Sequence, residues 1–144
     1  MTKVEYPFTD IGNGHHRPYL PIIILNPKTG QNCITRAILD TGADDCMMPL
    51  MVHQRAGFKV DKTKKPDGQV SGIAGKKIDA WKKTMIIQLL DKDRKVVVKT
   101  TKPIKVDCVM INQTPPLLGT KTFLHDIKVT LDYPKKTFTL EWES

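Results

Sequence analysis

The sequence predicts an all-β protein, a closed or nearly closed β-barrel with one or two short helices. Three observations lead to this fold class. Segments rich in apolar and β-branched residues recur along the chain, separated by clusters of Gly, Pro, Asn and Asp that predict turns. The final two segments alternate apolar and polar residues with the period of a strand. Only one short segment carries the start and stop signals of a helix.

The first elements lead to a candidate site. Residues 1–16 contain Gly, Pro, Asn and His with little periodicity and predict an N-terminal arm or loop. The chain has 144 residues, enough for one domain but short for two, so residues 17–144 are predicted to form a single domain. Residues 19–25 and 32–39 are rich in β-forming residues and flank an Asn-Pro-Lys-Thr-Gly turn. They predict a hairpin that ends at Asp40.

The remaining elements follow the same logic. Pro near the first turn and Gly just past the end predict a short helix over 49–56, with His53 on the surface. Small residues at the middle of 69–78 predict the tip of a further hairpin. A possible helical turn is expected at 120–125. Further strands are predicted at 80–90, 96–98, 103–111, 127–131 and 138–142.

Composition narrows the class of protein. No apolar run approaches the ~20 residues that span a bilayer, and the first residues lack a signal-peptide core. Cys33, Cys46 and Cys108 are odd in number and widely spaced, which suits a reducing compartment better than a disulfide framework. They show no metal-ligand spacing either. We therefore expect a cytoplasmic protein with no membrane partner, no metal and no cofactor.

The net charge of +8 leaves two interpretations open. Lysine pairs are scattered along the chain, and a basic surface can bind nucleic acid through counterion release. Aromatic residues make up only 6% of the chain, so platforms for base stacking are scarce. We favour a solvated surface that promotes solubility. A nucleic-acid-binding module would instead show binding that weakens steeply with salt.

The segment Asp40-Thr41-Gly42-Ala43-Asp44-Asp45 directly follows the apolar run Ala37-Ile38-Leu39. A buried strand thus delivers a carboxylate to a tight turn, which costs free energy unless the carboxylate is hydrogen-bonded or shares a proton. The alternative is a purely structural aspartate whose side chain caps its own turn. Cys46 follows with no His nearby in sequence, which indicates a packed small residue rather than a nucleophile.

This acidic segment closely resembles the active-site motif of the retropepsins, the aspartic proteases of retroviral type. Two further landmarks of that family follow in the same order, a flap-like segment at 70–75 and Leu117-Leu118-Gly119. Arg17-Pro18 before an apolar strand also resembles the start of these enzymes, so the resemblance covers about 17–142. Asp-Thr-Gly occurs once and Asp-Ser-Gly is absent, whereas the chemistry needs two carboxylates. The resemblance therefore implies a homodimer.

The resemblance also implies roles for individual residues. Asp40 would be the catalytic carboxylate, the Thr41 hydroxyl would bond across the dimer axis, and the Gly42 carbonyl would receive substrate. Asp44 and Asp45 would contact the substrate, and Asp44 would pair with Arg17 of the partner subunit. The flap tip that closes over the peptide would consist of Gly72, Ile73 and Ala74. The apolar pair and glycine packed behind the active-site turn would be Leu117, Leu118 and Gly119.

Two positions depart from the usual pattern. Viral members of the family commonly have Arg where this chain has Thr120, so part of their supporting ion-pair network is missing. Ala43 stands where many two-lobed aspartic proteases have Ser or Thr. A carboxylate without that hydroxyl donor is less favoured in its ionised form, which predicts an activity optimum that is only mildly acidic.

The resemblance as a whole implies a homodimeric aspartic endopeptidase. Its partners would be a second copy of the chain, a peptide or protein substrate, and inhibitors of the pepstatin type. A non-catalytic β-barrel dimer of the same fold that binds peptides or proteins without cutting them is the alternative.

Overall fold

The computed structural model describes residues 1–73 and 75–144. Strands make up 51% of the chain, and a single short α-helix is present in the described part, which confirms the predicted all-β class. A 3-10 turn spans Leu124–Asp126. The strands and the helix in chain order are β1 Thr2–Pro7, β2 Thr9–Gly12, β3 His15–Arg17, β4 Tyr19–Leu25, β5 Asn32–Leu39, β6 Met47–Met48, α1 Leu50–Arg55, β7 Gly68–Ile73, β8 Lys76–Leu90, β9 Val97–Thr100, β10 Ile104–Val109, β11 Leu117–Leu118, β12 Lys128–Asp132 and β13 Thr137–Trp142.

The main sheet closes into a barrel through the long strand β8. Strands follow one another in the order β10, β6, β11, β5, β4 and β8, and β8 then pairs with β10 to complete the ring. Residues 80–85 of β8 pair with β10 and residues 86–89 pair with β4, so one continuous strand closes the ring between these two neighbours. Inward-facing apolar side chains such as Ile22, Ile24, Ile87 and Leu89 are fully buried and fill the interior.

Strand β11 lies between two strands that are consecutive in sequence. After β5 the chain makes the acidic turn and returns as β6, but β5 and β6 do not pair with each other. The gap is occupied by β11, which runs parallel to β5 through Leu117 and Leu118 and antiparallel to β6 at Met47. The backbone of β11 thereby forms hydrogen bonds with the backbone of the strands on both sides of the turn, β5 and β6.

The prediction that residues 1–16 form an arm or loop is wrong in its secondary structure. β1 pairs with β13, and β13 pairs with β12, in a separate three-stranded antiparallel sheet. Tyr6 and Phe8 belong to the hydrophobic core, and the Tyr6 hydroxyl donates to the Leu90 carbonyl at 2.7 Å. Val4, Tyr6 and Phe8 alternate as strand residues do, but the Pro and Gly residues that follow obscured this short pattern.

The helix is where the sequence places it, but His53 is not on the surface. Its side chain is buried, and Nε2 lies 3.0 Å from the Val109 carbonyl oxygen on β10. Because a carbonyl only accepts hydrogen bonds, Nε2 carries the proton and donates it. Within the described residues, no helix is both long and apolar enough to cross a membrane.

Candidate active site

The fold places Asp40 at the point where β5 leaves the sheet. Its backbone N–H donates to the Leu118 carbonyl at 3.0 Å, which extends the parallel pairing of β5 and β11 by one residue. The side chain is half-buried, and Oδ1 accepts a hydrogen bond from the Gly42 N–H at 2.9 Å. The carboxylate is thus oriented by its own turn while part of it remains accessible.

This side-chain bond alone does not mark a catalytic site. Asp10 makes the same bond to the N–H of Gly12 at 2.8 Å in an exposed turn, as aspartates commonly do. What distinguishes Asp40 is its surroundings, because its turn is bracketed by β5 on one side and by the segment after β11 on the other.

The segment after β11 holds the acidic turn through backbone hydrogen bonds. The Thr120 N–H donates to the Ala43 carbonyl and the Lys121 N–H to the Asp44 carbonyl, both at 2.8 Å. The Thr120 hydroxyl also donates to the Ala43 carbonyl at 3.2 Å. Thr120 thus supports the turn by hydrogen bonds within the chain.

Gly119 and Cys46 pack directly beneath this turn. A Cβ atom on Gly119 would lie 2.6 Å from the carbonyl oxygens of Asp44 and Asp45, closer than such atoms can approach. The Gly119 N–H points at the Cys46 sulfur at 3.5 Å, and Thr122 Oγ1 lies 3.3 Å from the same atom. Burial raises the pKa of the Cys46 thiol, which keeps it protonated and unreactive.

A charged cluster next to the turn was not predicted from the sequence. Lys82 on β8 stands directly opposite Asp107 on β10, and its Nζ lies 2.9 Å from Asp107 Oδ1 and 3.9 Å from Asp45 Oδ2. The hydrogen bond to Asp107 raises the pKa of Lys82. At the base of the flap-like hairpin, Asp67 Oδ2 accepts a 2.7 Å hydrogen bond from the Lys82 backbone N–H. The cluster joins the strand that follows the flap-like hairpin to the acidic turn.

The other predicted site residues are placed as follows. Thr41, Asp44 and Arg17 are exposed, and the Arg17 guanidinium donates to the neighbouring His16 carbonyl at 3.0 Å. Within one chain Arg17 forms no ion pair with Asp44 in the described part, so the predicted pairing across two subunits stays a prediction. Gly72 and Ile73 lie at the end of β7, and the predicted flap residue Ala74 lies outside the described residues.

Over residues 1–73 and 75–144, no group of three or more His, Cys, Asp or Glu side chains is arranged to hold a metal ion.

Comparison with solved structures identifies the fold of the chain. No protein-family model and no curated protein matches the sequence. Among solved structures, the chain resembles a retropepsin-like aspartic protease from Rickettsia conorii with a TM-score of 0.66 and 20% identity, over 98% of this chain and 91% of that one. EIAV protease in complex with the inhibitor HBY-793 matches with a TM-score of 0.43 and 17% identity, over 76% of this chain and 88% of that one. The match to the Rickettsia conorii protein shows that the chain has the retropepsin-like fold.

Proposed function

We propose that the protein is a homodimeric aspartic endopeptidase in which each subunit supplies one Asp40. The observation that carries this proposal is the position of Asp40 at the end of β5, in a turn held from behind by β11 and the residues after it. Two strands, β5 and β11, orient this one accessible carboxylate. Such support suits a group that must meet a second carboxylate with accurate geometry.

The chemistry follows from two facing carboxylates. At a separation of about 3 Å they cannot both ionise and so share one proton, as the known aspartic proteases do. The ionised member takes a proton from water while the protonated member donates to the scissile carbonyl, and the water attacks without a covalent enzyme intermediate. The pair titrates as a unit that belongs to both subunits.

The substrate would be an extended peptide segment. In the proposed complex the Gly42 carbonyl accepts a substrate N–H, and Asp44 and Asp45 contact the peptide near the turn. The hairpin of β7 and β8 closes over the peptide and pairs with its backbone in the manner of an added strand. Closure excludes bulk water and strengthens the electrostatic interactions of the site. Thr41 joins the two turns across the dimer axis.

The alternative is a dimer of the same fold that binds peptides without cutting them. Two facing carboxylates would repel each other in such a binder and would contribute nothing to it. The intact Asp-Thr-Gly sequence therefore favours catalysis.

Cleavage of a mixed peptide library tests the proposal. The protein is assayed at several pH values, with and without pepstatin, over a range of protein concentrations. We expect pepstatin-sensitive cleavage whose specific activity rises with concentration, because the site forms only on association. Asp40→Asn should abolish cleavage and leave the oligomeric state unchanged. The matched control is Asp10→Asn, which alters a carboxylate with the same local hydrogen bond and should cleave normally.

Each result separates the two functions. Cleavage by the Asp40→Asn variant would exclude Asp40 as the catalytic group. A wild-type protein that dimerises and binds peptides but cleaves none of them at any pH would support the binding module instead.

A further inference from the structure

A basic cavity of about 670 Å³ shares Lys82 with the charged cluster described above. It lies between the turn that joins β4 to β5, the segment that follows α1, and the middle of β8. Four lysines line this cavity and no carboxylate does. The lysines are Lys28, Lys59, Lys82 and Lys83. We call this feature the lysine groove.

Most of the positive charge of the lysine groove is uncompensated. Lys82 is neutralised by Asp107, whereas Lys28, Lys59 and Lys83 have no carboxylate within 4 Å in the described part of the chain. Hydrogen bonds from Thr63 and the charges of Lys64 and Lys83 lower the pKa of Asp61, so its carboxylate offsets part of the charge of Lys83 and leaves Lys28 and Lys59 uncompensated. Three like charges around one concavity repel each other, and an acidic ligand would relieve that repulsion.

The wall of the lysine groove suits a polypeptide better than a nucleic acid. Pro27 is exposed and contributes apolar surface that aliphatic parts of a peptide can cover. Phe58 is the aromatic residue among the lining residues and is only 9% exposed, so it presents no ring face on which a base could stack. Charge and shape together favour an acidic peptide segment.

The geometry points to the lysine groove as a docking site for acidic residues of the substrate that lie outside the scissile segment. Lys82 belongs to both features, since it lines the groove and its Nζ lies 3.9 Å from Asp45 in the active-site turn. Asp40 and the turn that carries Lys28 lie at opposite ends of the eight-residue strand β5, about 26 Å apart at about 3.3 Å per residue, so the acidic residues would lie about eight or more positions from the scissile bond. This inference rests on the proposed function and names its substrate class, polypeptides with an acidic flank.

Binding tests the inference independently of catalysis. In the Asp40→Asn background, fluorescence anisotropy measures the affinity for a labelled peptide with a tail of glutamates and for the same peptide with glutamines. We expect tighter binding of the glutamate peptide, weakening as salt rises. Lys28→Glu/Lys59→Glu should lower that affinity about fivefold, the effect expected of exposed ion pairs. The control, Lys92→Glu/Lys135→Glu, removes the same charge at exposed positions away from the groove and should not change it.

Cleavage by otherwise wild-type protein gives the second readout. The ratio of kcat/KM for the glutamate peptide to that for the glutamine peptide should fall about fivefold in Lys28→Glu/Lys59→Glu and stay constant in the control. Equal loss in both double variants would overturn the inference, since only net charge would then matter. Displacement of the peptide by a single-stranded RNA at lower concentration than by unlabelled peptide would also overturn it. A protein that binds the acidic tail yet cleaves nothing would refute the proposed function and leave the lysine groove intact.

Discussion

Gly119 has no space for a side chain, because backbone atoms of the acidic turn occupy the volume where a Cβ would lie. The close approach lets the N–H groups of the next two residues reach the carbonyls of Ala43 and Asp44. The glycine therefore determines how tightly the turn that carries Asp40 is held.

Gly119→Ala should damage both stability and activity. The added methyl group would meet the carbonyl oxygens of Asp44 and Asp45 at 2.6 Å and push the turn away from its support. Overpacking of this kind costs about 1–3 kcal/mol of folding stability, which urea unfolding can measure. Displacement of Asp40 should lower kcat more than it changes KM. Gly68→Ala is the control, since nothing lies within 4 Å of its added Cβ. Equal effects of the two substitutions would contradict the argument.

His53 makes stability depend on pH. Burial lowers its pKa below the ordinary value of 6.5, so the unfolded chain takes up the proton at a higher pH than the folded one. The contribution of neutral His53 is therefore complete above about pH 6.5 and is lost as the pH falls toward the folded pKa, by at most about 1.4 kcal/mol per pH unit. Urea unfolding of His53→Gln, which keeps a donor but does not titrate, should show a flatter pH profile. His125→Gln, at an exposed site, should keep the wild-type profile.

The sequence indicated the candidate residues that stand in recognisable motifs and missed the charged pair that forms only when two strands meet. Asp40 stands in one uninterrupted motif after an apolar strand, so its position and its turn were predicted. Lys82 and Asp107 become neighbours only through the register of β8 against β10. One feature of the sequence could have indicated this pair. Asp107 lies inside the apolar run Val106-Asp107-Cys108-Val109, and a buried carboxylate needs a partner.

At the scale of elements, β8 connects the flap-like hairpin to the barrel. It starts at the hairpin with β7, passes Lys82, and ends in the sheet against β4. The ion pair between Lys82 and Asp107 lies at the point where β8 crosses from the flap to the barrel wall. We expect this pair to fix the base of the flap relative to the active-site turn.

Lys82→Met should therefore destabilise the protein. It leaves Asp107, only 8% exposed, without its charged donor, at a cost of about 1–3 kcal/mol. The double variant Lys82→Met/Asp107→Leu should recover much of the loss, because no charge is then left buried. Lys3→Met is the control; its pair with Glu141 spans 3.6 Å at the surface and should contribute under about 1 kcal/mol. Urea unfolding of the wild type, the single variants Lys82→Met and Asp107→Leu, and the double variant measures the coupling between the two residues. Strictly additive effects at Lys82 and Asp107 would contradict it.

The sequence predicted strands correctly where an apolar, β-branched run ended at a recognisable turn. β4 and β5 begin and end where the sequence predicts, because β-branched runs lie on both sides of an Asn-Pro-Lys-Thr-Gly turn. β6 and β11 are two residues long and carry too little pattern to be recognised. They exist because neighbouring strands offer them partners, which is information that only the tertiary fold contains.

At the scale of the whole molecule, two sheets share one hydrophobic core. The barrel contributes its interior, and the smaller sheet of β1, β13 and β12 covers one side with Tyr6, Phe8 and Phe138. The rings of Tyr6 and Phe8 pack against Phe138 with centroids 5.5 and 5.6 Å apart. The N-terminal strand is thus part of the core.

Deletion of residues 1–8 tests this role of β1. The truncation removes two core aromatic residues and the edge partner of β13, and the loss of a buried aromatic side chain alone costs about 3–5 kcal/mol. We expect a large fall in Tm and in the urea midpoint. Tyr6→Phe serves as the graded comparison, because it removes only the hydroxyl bonded to Leu90 and should cost about 1 kcal/mol. If residues 1–8 were instead a detachable arm, the truncated protein would unfold at the wild-type temperature. Since the fold positions Asp40 through the same continuous core, the truncated protein should also lose peptide cleavage in proportion to the fraction unfolded.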